Sequence, residues 1–275
     1  MIKTFAKIGV AAVALAGFVG TAQAGGMDAS YAPAAPASPW AGVYIGLNAG
    51  AAWAEFDSSL DVQNGQNGYF NPNAIPGVNA NGTFSDDTTE FTGGAQIGVN
   101  FQTGSWVMGV EGDFNYLEAE ASRDGSAVYT TNGLPYSLNT EASIDWLMTV
   151  RGRLGYAMNG LMVYGTAGLA VTDIEFSQDF SEPPFTVDPV NIRDDKTTAG
   201  YAVGGGGEMA IMDGSWSIKG EYLYVSFDGV SNSGTTAGAG FAASPITDTA
   251  TFANSVDLDL HVVRVGINKK IGGVE

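Results

Sequence analysis

The chain has 275 residues, no cysteine, and 29 acidic against 11 basic side chains, giving a net charge of −18. The lack of cysteine removes disulfides and thiolate chemistry. The acidic balance excludes nucleic acid as a partner, because nothing here could neutralise a row of phosphates.

Residues 1–24 read as a secretory signal peptide. Lys3 and Lys7 supply the positive start, residues 8–19 a short apolar run, and Ala22-Gln23-Ala24 the cleavage site, so the mature chain is expected to begin at Gly25. The apolar run is too short to serve as a spanning anchor. Cleavage takes two lysines away and leaves the mature chain still more acidic. Residues 25–39 are small and Pro/Ala-rich and read as a flexible lead-in. No later stretch is long and apolar enough for a membrane helix.

From Trp40 to the end, residues 40–275, the pattern predicts eight strands: 42–53, 89–101, 105–117, 142–156, 161–172, 200–211, 215–227 and 256–271. Three connections are tight turns with glycine or Asn-Gly chemistry, at 102–104, 157–160 and 212–214. Four are long and acid-rich, at 54–88, 118–141, 173–199 and 228–255. Short turns on one side and long loops on the other predict an all-β fold: an eight-stranded antiparallel transmembrane up-and-down β-barrel with short periplasmic turns and long extracellular loops. A soluble sandwich is the alternative, but it has no reason for this regular alternation.

The faces agree. In the third strand Trp106, Met108, Val110, Phe114 and Tyr116 oppose Glu111, Asp113 and Asn115. In the fourth, Ile144, Trp146, Met148, Val150, Leu154 and Tyr156 oppose Asp145, Thr149, Arg151 and Arg153; in the seventh, Trp216, Ile218, Tyr222 and Tyr224 oppose Ser217, Lys219 and Glu221. Trp40, Trp106, Tyr156 and Trp216 lie at the turn ends and are expected to form an aromatic girdle. The last strand is ambiguous. Asp257, Asp259 and His261 share parity with Val263, Val265 and Ile267, so either the strand leaves the lipid near His261 or a bulge changes its register there.

The expected interior collects Glu111, Asp113, Glu208 and Glu221 against Arg151, Arg153, Lys219 and Arg264. Eight strands enclose a lumen only wide enough for side chains. Charges at mid-membrane depth must pair, because isolated burial costs several kcal/mol each. The expectation is a lumen plugged by a salt-bridge network, with Gly98, Gly204 and Gly206 making room; the alternative is the charged lining of an aqueous pore. The third and fourth strands are neighbours, so Arg151 or Arg153 is expected to face Glu111 or Asp113.

Most remaining acids lie in the long connections, among them Asp57, Asp61, Asp86, Asp87, Glu118, Glu120, Asp124, Asp179, Glu182, Asp188, Asp194, Asp195, Asp228 and Asp248. They read as a solvated surface; no spacing matches a calcium loop. Catalysis is not expected. The one histidine, His261, has Ser255, Asp257 and Asp259 nearby but reads as a rim residue without chemistry, and axial haem ligation by it is not expected either. The Gly204–Gly207 run has no following helix and no Lys-Ser/Thr, so it is no phosphate loop. No metal and no cofactor is expected.

Several segments in order carry a resemblance: Trp40-Ala-Gly-Val-Tyr-Ile-Gly, Gly98-Val-Asn-Phe-Gln, Trp106-Val-Met-Gly-Val-Glu-Gly-Asp, Val150-Arg-Gly-Arg-Leu-Gly-Tyr, Val163-Tyr-Gly-Thr-Ala-Gly-Leu-Ala, Trp216-Ser-Ile-Lys-Gly-Glu-Tyr-Leu-Tyr and Val263-Arg-Val-Gly-Ile-Asn. The chain resembles, from Trp40 to Ile271, the small outer-membrane β-barrel (immunogenic) proteins of alphaproteobacteria, related to the OmpA/OmpX type. The resemblance implies the cell outer membrane, an envelope-structural role with a surface-exposed, antigenic face, and in some members haemin binding. Implied partners are outer-membrane lipid and lipopolysaccharide, the barrel-assembly machinery, and a host or small-molecule ligand at the acidic loops. The family usually ends on an aromatic residue; here the matching positions read Lys269-Lys270-Ile271, a departure that bears on recognition by that machinery. Two other functions stay open: a small porin for passive diffusion, and a surface haemin receptor.

Overall fold

The computed structural model describes residues 39–65, 68–182, 190–238 and 248–272. The expected leader and nearly all of the lead-in lie outside these residues, as does Asp188. The elements are β1 (Gly42–Asn64), α1 (Ile75–Gly82), β2 (Phe84–Thr103), β3 (Trp106–Val128), β4 (Pro135–Met158), β5 (Leu161–Ser181), β6 (Val190–Ile211), β7 (Trp216–Gly238) and β8 (Asp248–Gly272). Each strand pairs antiparallel with the next, and β8 pairs back onto β1, closing an eight-stranded barrel. Closure gives every strand two hydrogen-bonded neighbours, the condition for a sheet to exist in lipid.

The turns at the lower end follow their chemistry. Asn159 and Gly160 form a two-residue link between β4 and β5 with φ of 46° and 82°, the backbone of a type I′ hairpin. Gly104 takes φ of 60° between β2 and β3.

The strands run 20 to 25 residues, well beyond the 12 to 16 expected. The reason is an inversion of the pattern partway up. On β1 the outward positions are Val43, Ile45, Leu47, Ala49, Ala51 and Trp53, and then Glu55 and Asp57. On β3, Trp106 through Tyr116 give way to Glu118 and Glu120; on β5, Leu161 through Val171 give way to Asp173 and Glu175. The apolar outer band therefore spans about eleven residues, the length of a transmembrane β-strand. Above it the same strands continue with polar residues outside and apolar residues inside, as in a sheet exposed to water. The segments expected as long acidic loops are thus largely strand. Glu182 and Asp248, read as solvated, are in fact buried.

Two further expectations change. Strand parity puts Ile144 outward and Asp145 inward, but a register shift between Ile144 and Leu147 reverses the faces of β4 at the top of the band. Ile144 enters the apolar interior and Asp145 reaches the surface. On β8 no bulge occurs near His261; Asp257, Asp259 and His261 continue the outward face above the apolar band.

The upper half is not a continuous ring. β2 and β3 pair only between Thr103↔Trp106 and Thr92↔Leu117, and β6 and β7 only between Ile211↔Trp216 and Tyr201↔Ser226. The other six ladders continue upward, to Asn64↔Ala250 and Val128↔Pro135 for example. Above the band the wall therefore parts into two four-stranded leaves, β7-β8-β1-β2 and β3-β4-β5-β6. Between them lies an apolar core including Phe56, Leu60, Leu117, Leu138, Phe180 and Phe252. The α1 helix lies at this level with Val78 fully buried.

Candidate functional site

The charged interior is built by parity alone. On β3 and β4 the inward positions within the band include Glu111, Asp113, Arg151 and Arg153, with Glu111 directly opposite Arg151. β6 contributes Glu208, β7 Lys219 and Glu221, and β8 Arg264. All eight side chains meet. The Arg151 guanidinium contacts Glu111 at 2.9 Å, Asp113 at 2.7 Å and Glu221 at 3.2 Å. Arg264 reaches Glu221 at 2.6 Å and Asp113 at 3.1 Å. The Lys219 ammonium lies 2.8 Å from Glu111, and Arg153 lies 2.6 Å from Glu208 and 3.5 Å from Glu111. These side chains are at most 4% exposed, and the four acids balance the four bases in formal charge. That balance lets them share a low-dielectric lumen.

An uncharged shell completes the network; Asn115, Thr149 and Ser217 fall on the expected inward face, and Tyr44, Tyr164 and Asn268 join them. The Tyr44 hydroxyl donates to Glu111 at 2.7 Å and accepts from Arg153 at 2.8 Å. The Tyr164 hydroxyl donates to Glu221, and its ring lies 4.1 Å beneath the Arg153 guanidinium. Thr149 and Asn115 donate to Asp113; Ser217 and Asn268 donate to Glu208. Strand parity marks them, since Tyr44 and Asn48 alternate with Ile45 and Leu47. The inward glycines make the space. A Cβ at Gly98 would sit 2.3 Å from the Tyr44 hydroxyl, and one at Gly206 would sit 2.8 Å from that of Tyr164.

Trp40 is not in the girdle. It is 5% exposed and packs with Val107, Met162 and Tyr164 in the floor of the barrel, because the chain entering β1 turns beneath the lumen. Beside it lies a cavity of about 20 Å³, on the scale of one water molecule, bordered by Tyr44, Asn100 and Glu208. Trp106 and Tyr156 do sit outward at the lower edge, opposite each other and with rings in edge contact at 5.3 Å; Trp216 is half-buried beside Lys269. A second aromatic tier, missed from the sequence, marks the upper edge with Trp53, Phe91, Tyr116 and Tyr201 on the outside.

His261 belongs to this upper tier. It is half-buried on the outer face, its Nδ1 is 2.7 Å from the Tyr222 hydroxyl, and Asp259 accepts from Tyr224. Above the band, the hydroxyl of Tyr69 donates to Glu182, and burial together with that carboxylate pushes the phenol above its ordinary range. Among the described residues no three metal-ligating side chains converge.

The family described as "Outer membrane protein beta-barrel domain" matches residues 11–242. The chain belongs to this family. The 31 kDa outer-membrane immunogenic protein of Brucella melitensis is 32% identical over 236 residues, covering 84% of this chain and 83% of that one. The 22 kDa outer membrane protein of Rhizobium leguminosarum is 31% identical, covering 72% and 70%. The 25 kDa outer-membrane immunogenic protein of Brucella abortus is 29% identical, covering 70% and 68%. As a member of the outer-membrane barrel family the chain resides in the outer membrane, and its apolar band faces lipid.

Proposed function

We propose that this outer-membrane barrel is an envelope-structural protein with a surface-exposed, antigenic outer half, a lumen that does not conduct, and no catalytic chemistry. One observation carries this reading: the interior is filled along its height, by a neutral salt-bridge network at the level of the lipid band and by apolar side chains above it. A porin needs a continuous hydrated path at the band, and there the Arg151 and Lys219 side chains have no exposure to solvent. The similarity to the outer-membrane immunogenic proteins of Brucella supports an antigenic surface. The acidic outer face would serve any host or small-molecule partner, and lipopolysaccharide would surround the barrel.

Planar-bilayer recording of the refolded protein tests the reading. The expected trace shows no steady open level across a range of salt concentrations. Stable, salt-proportional steps of porin size would make the network the lining of a pore and remove the structural proposal.

A further inference from the structure

We propose that α1 is a clasp: it holds the two leaves of the outer half together across the β2–β3 seam, and its release opens the apolar interior sideways to small apolar molecules. The need for a clasp follows from the pairing. Above Thr92↔Leu117, β2 pairs only with β1, and β3 only with β4. Yet Ala119 and Ala121, on the β3 side of that seam, are buried to 1% exposure or less. Something other than a strand ladder excludes water there.

The helix contacts both leaves. On the β1 side, the Val62 N–H donates to Asn79 Oδ1 at 2.9 Å and the Leu60 N–H to Thr83 Oγ1 at 3.2 Å. These residues lie beyond Ser58↔Phe84, the last β1–β2 pair, so α1 takes over backbone donors that β2 no longer reaches. On the opposite leaf, the Tyr136 hydroxyl donates to the Gly77 carbonyl at 3.4 Å. Gly125 of β3 approaches so closely that a Cβ there would be 2.9 Å from Asn81 Nδ2. Gly82 is wedged between the leaves: a Cβ would lie 2.3 Å from Leu60 Cδ2 and 2.8 Å from Leu138 Cδ2. Arg123 also crosses the seam, its guanidinium 6.0 Å above the Phe84 ring.

The clasp is weak enough to release. It has eight residues, two of them the glycines Gly77 and Gly82, and no side-chain N-cap. A helix this short does not hold itself together in water, and hydrogen bonds of the kind that dock it contribute modestly each. It can therefore open without the membrane ring opening, as a local unfolding unit. The opening would run upward from the top of the lipid band, bordered by the apolar side chains of Leu117, Phe84 and Leu138 with Arg123 at its edge.

The absence of native cysteine gives a direct test. Ala121→Cys places one thiol on the inner face of the seam, and Val107→Cys places one in the floor. Each would be probed with a water-soluble maleimide on the full chain refolded in lipid nanodiscs. Both thiols should react slowly in the parent background. Asn79→Ala with Thr83→Ala should speed labelling of the seam thiol at least tenfold and leave the floor thiol protected, and benzene should slow the reaction at the seam again. Tyr136→Phe, which removes a single tie to the other leaf, should give a smaller change in the same direction and stands in if the double variant does not fold. Unchanged labelling of the seam thiol in the variants would overturn the clasp. Equal gains at both thiols would do so too, as they would mean general loosening. Faster labelling that benzene does not slow would overturn the apolar entry.

Discussion

Arg151 is the residue on which most of the interior depends, since its guanidinium lies within 3.2 Å of Glu111, Asp113 and Glu221, whereas Arg264 reaches the same three with Glu111 only at 4.0 Å. Arg151→Met leaves an uncompensated acid in a closed lumen, a change that typically costs about 3–5 kcal/mol. Urea unfolding of the refolded barrel should register that loss. Adding Asp113→Asn should recover part of it, because formal neutrality returns and Arg264 still holds Glu221 at 2.6 Å. A silent Arg151→Met that also raised conductance would mean the charges are solvated. Across the wall the logic reverses: Val150, 38% exposed toward lipid, is flanked on its two ladders by Gly112 and Leu169, neither of which offsets a charge. Val150→Arg should cost about 2–4 kcal/mol near the midplane, and no loss at all would mean that this face does not meet lipid. Much at this scale was legible in the sequence, because in a closed eight-stranded barrel the position of a side chain follows from parity. Tyr44 and Tyr164 were equally legible by parity but carry no charge to attract notice. Trp40 was not, since it precedes the first strand, where parity has no meaning.

At the scale of the strands, the limit of the sequence reading was physical. Apolar residues alternating outward mark a strand within the lipid, and above the band the outward positions turn acidic while the inward ones turn apolar. Glu118, Ala119, Glu120 and Ala121 are as regular as the residues below them, with the two roles exchanged. The bulge at Ile144–Leu147 helps make the exchange on β4 and leaves no mark in composition. The upper strands also keep like charges close. Burial, then a hydrogen bond that the protonated carboxyl donates to Asp195, raises the carboxyl of Asp173 above its ordinary range. A raised acid means the folded state holds its proton more tightly than the unfolded chain. Stability is then greatest below the ordinary aspartate value and declines as pH rises through the folded one. Asp173→Asn should therefore stabilise the barrel at neutral pH, with the gain fading in acid. The side chain is largely exposed, so the effect should be a few tenths of a kcal/mol at most. Paired urea titrations at neutral and acid pH would check it, and a gain independent of pH would assign the effect to something other than charge.

As a whole molecule, the protein is two structures stacked on one set of strands: a lipid-embedded ring with a polar centre, and above it two facing leaves with an apolar centre. The extra length of the strands has a further consequence. About ten residues beyond the band on most strands, fewer on the 20-residue β2, at about 3.3 Å each and a tilt of roughly 40°, raise the barrel wall some 25 Å above the lipid. A macromolecule approaching the cell thus meets much of its first contact on pleated wall, with side chains from neighbouring strands set at fixed spacing. Glu55 beside Asp87 and Asp259, and Glu175 beside Asp195, are such groupings, each assembled from segments distant in the chain. Recognition of this surface should be recognition of shape. Sera raised against the folded barrel are expected to lose most of their binding when it is heat-denatured, and to react poorly with linear peptides drawn from the same strands.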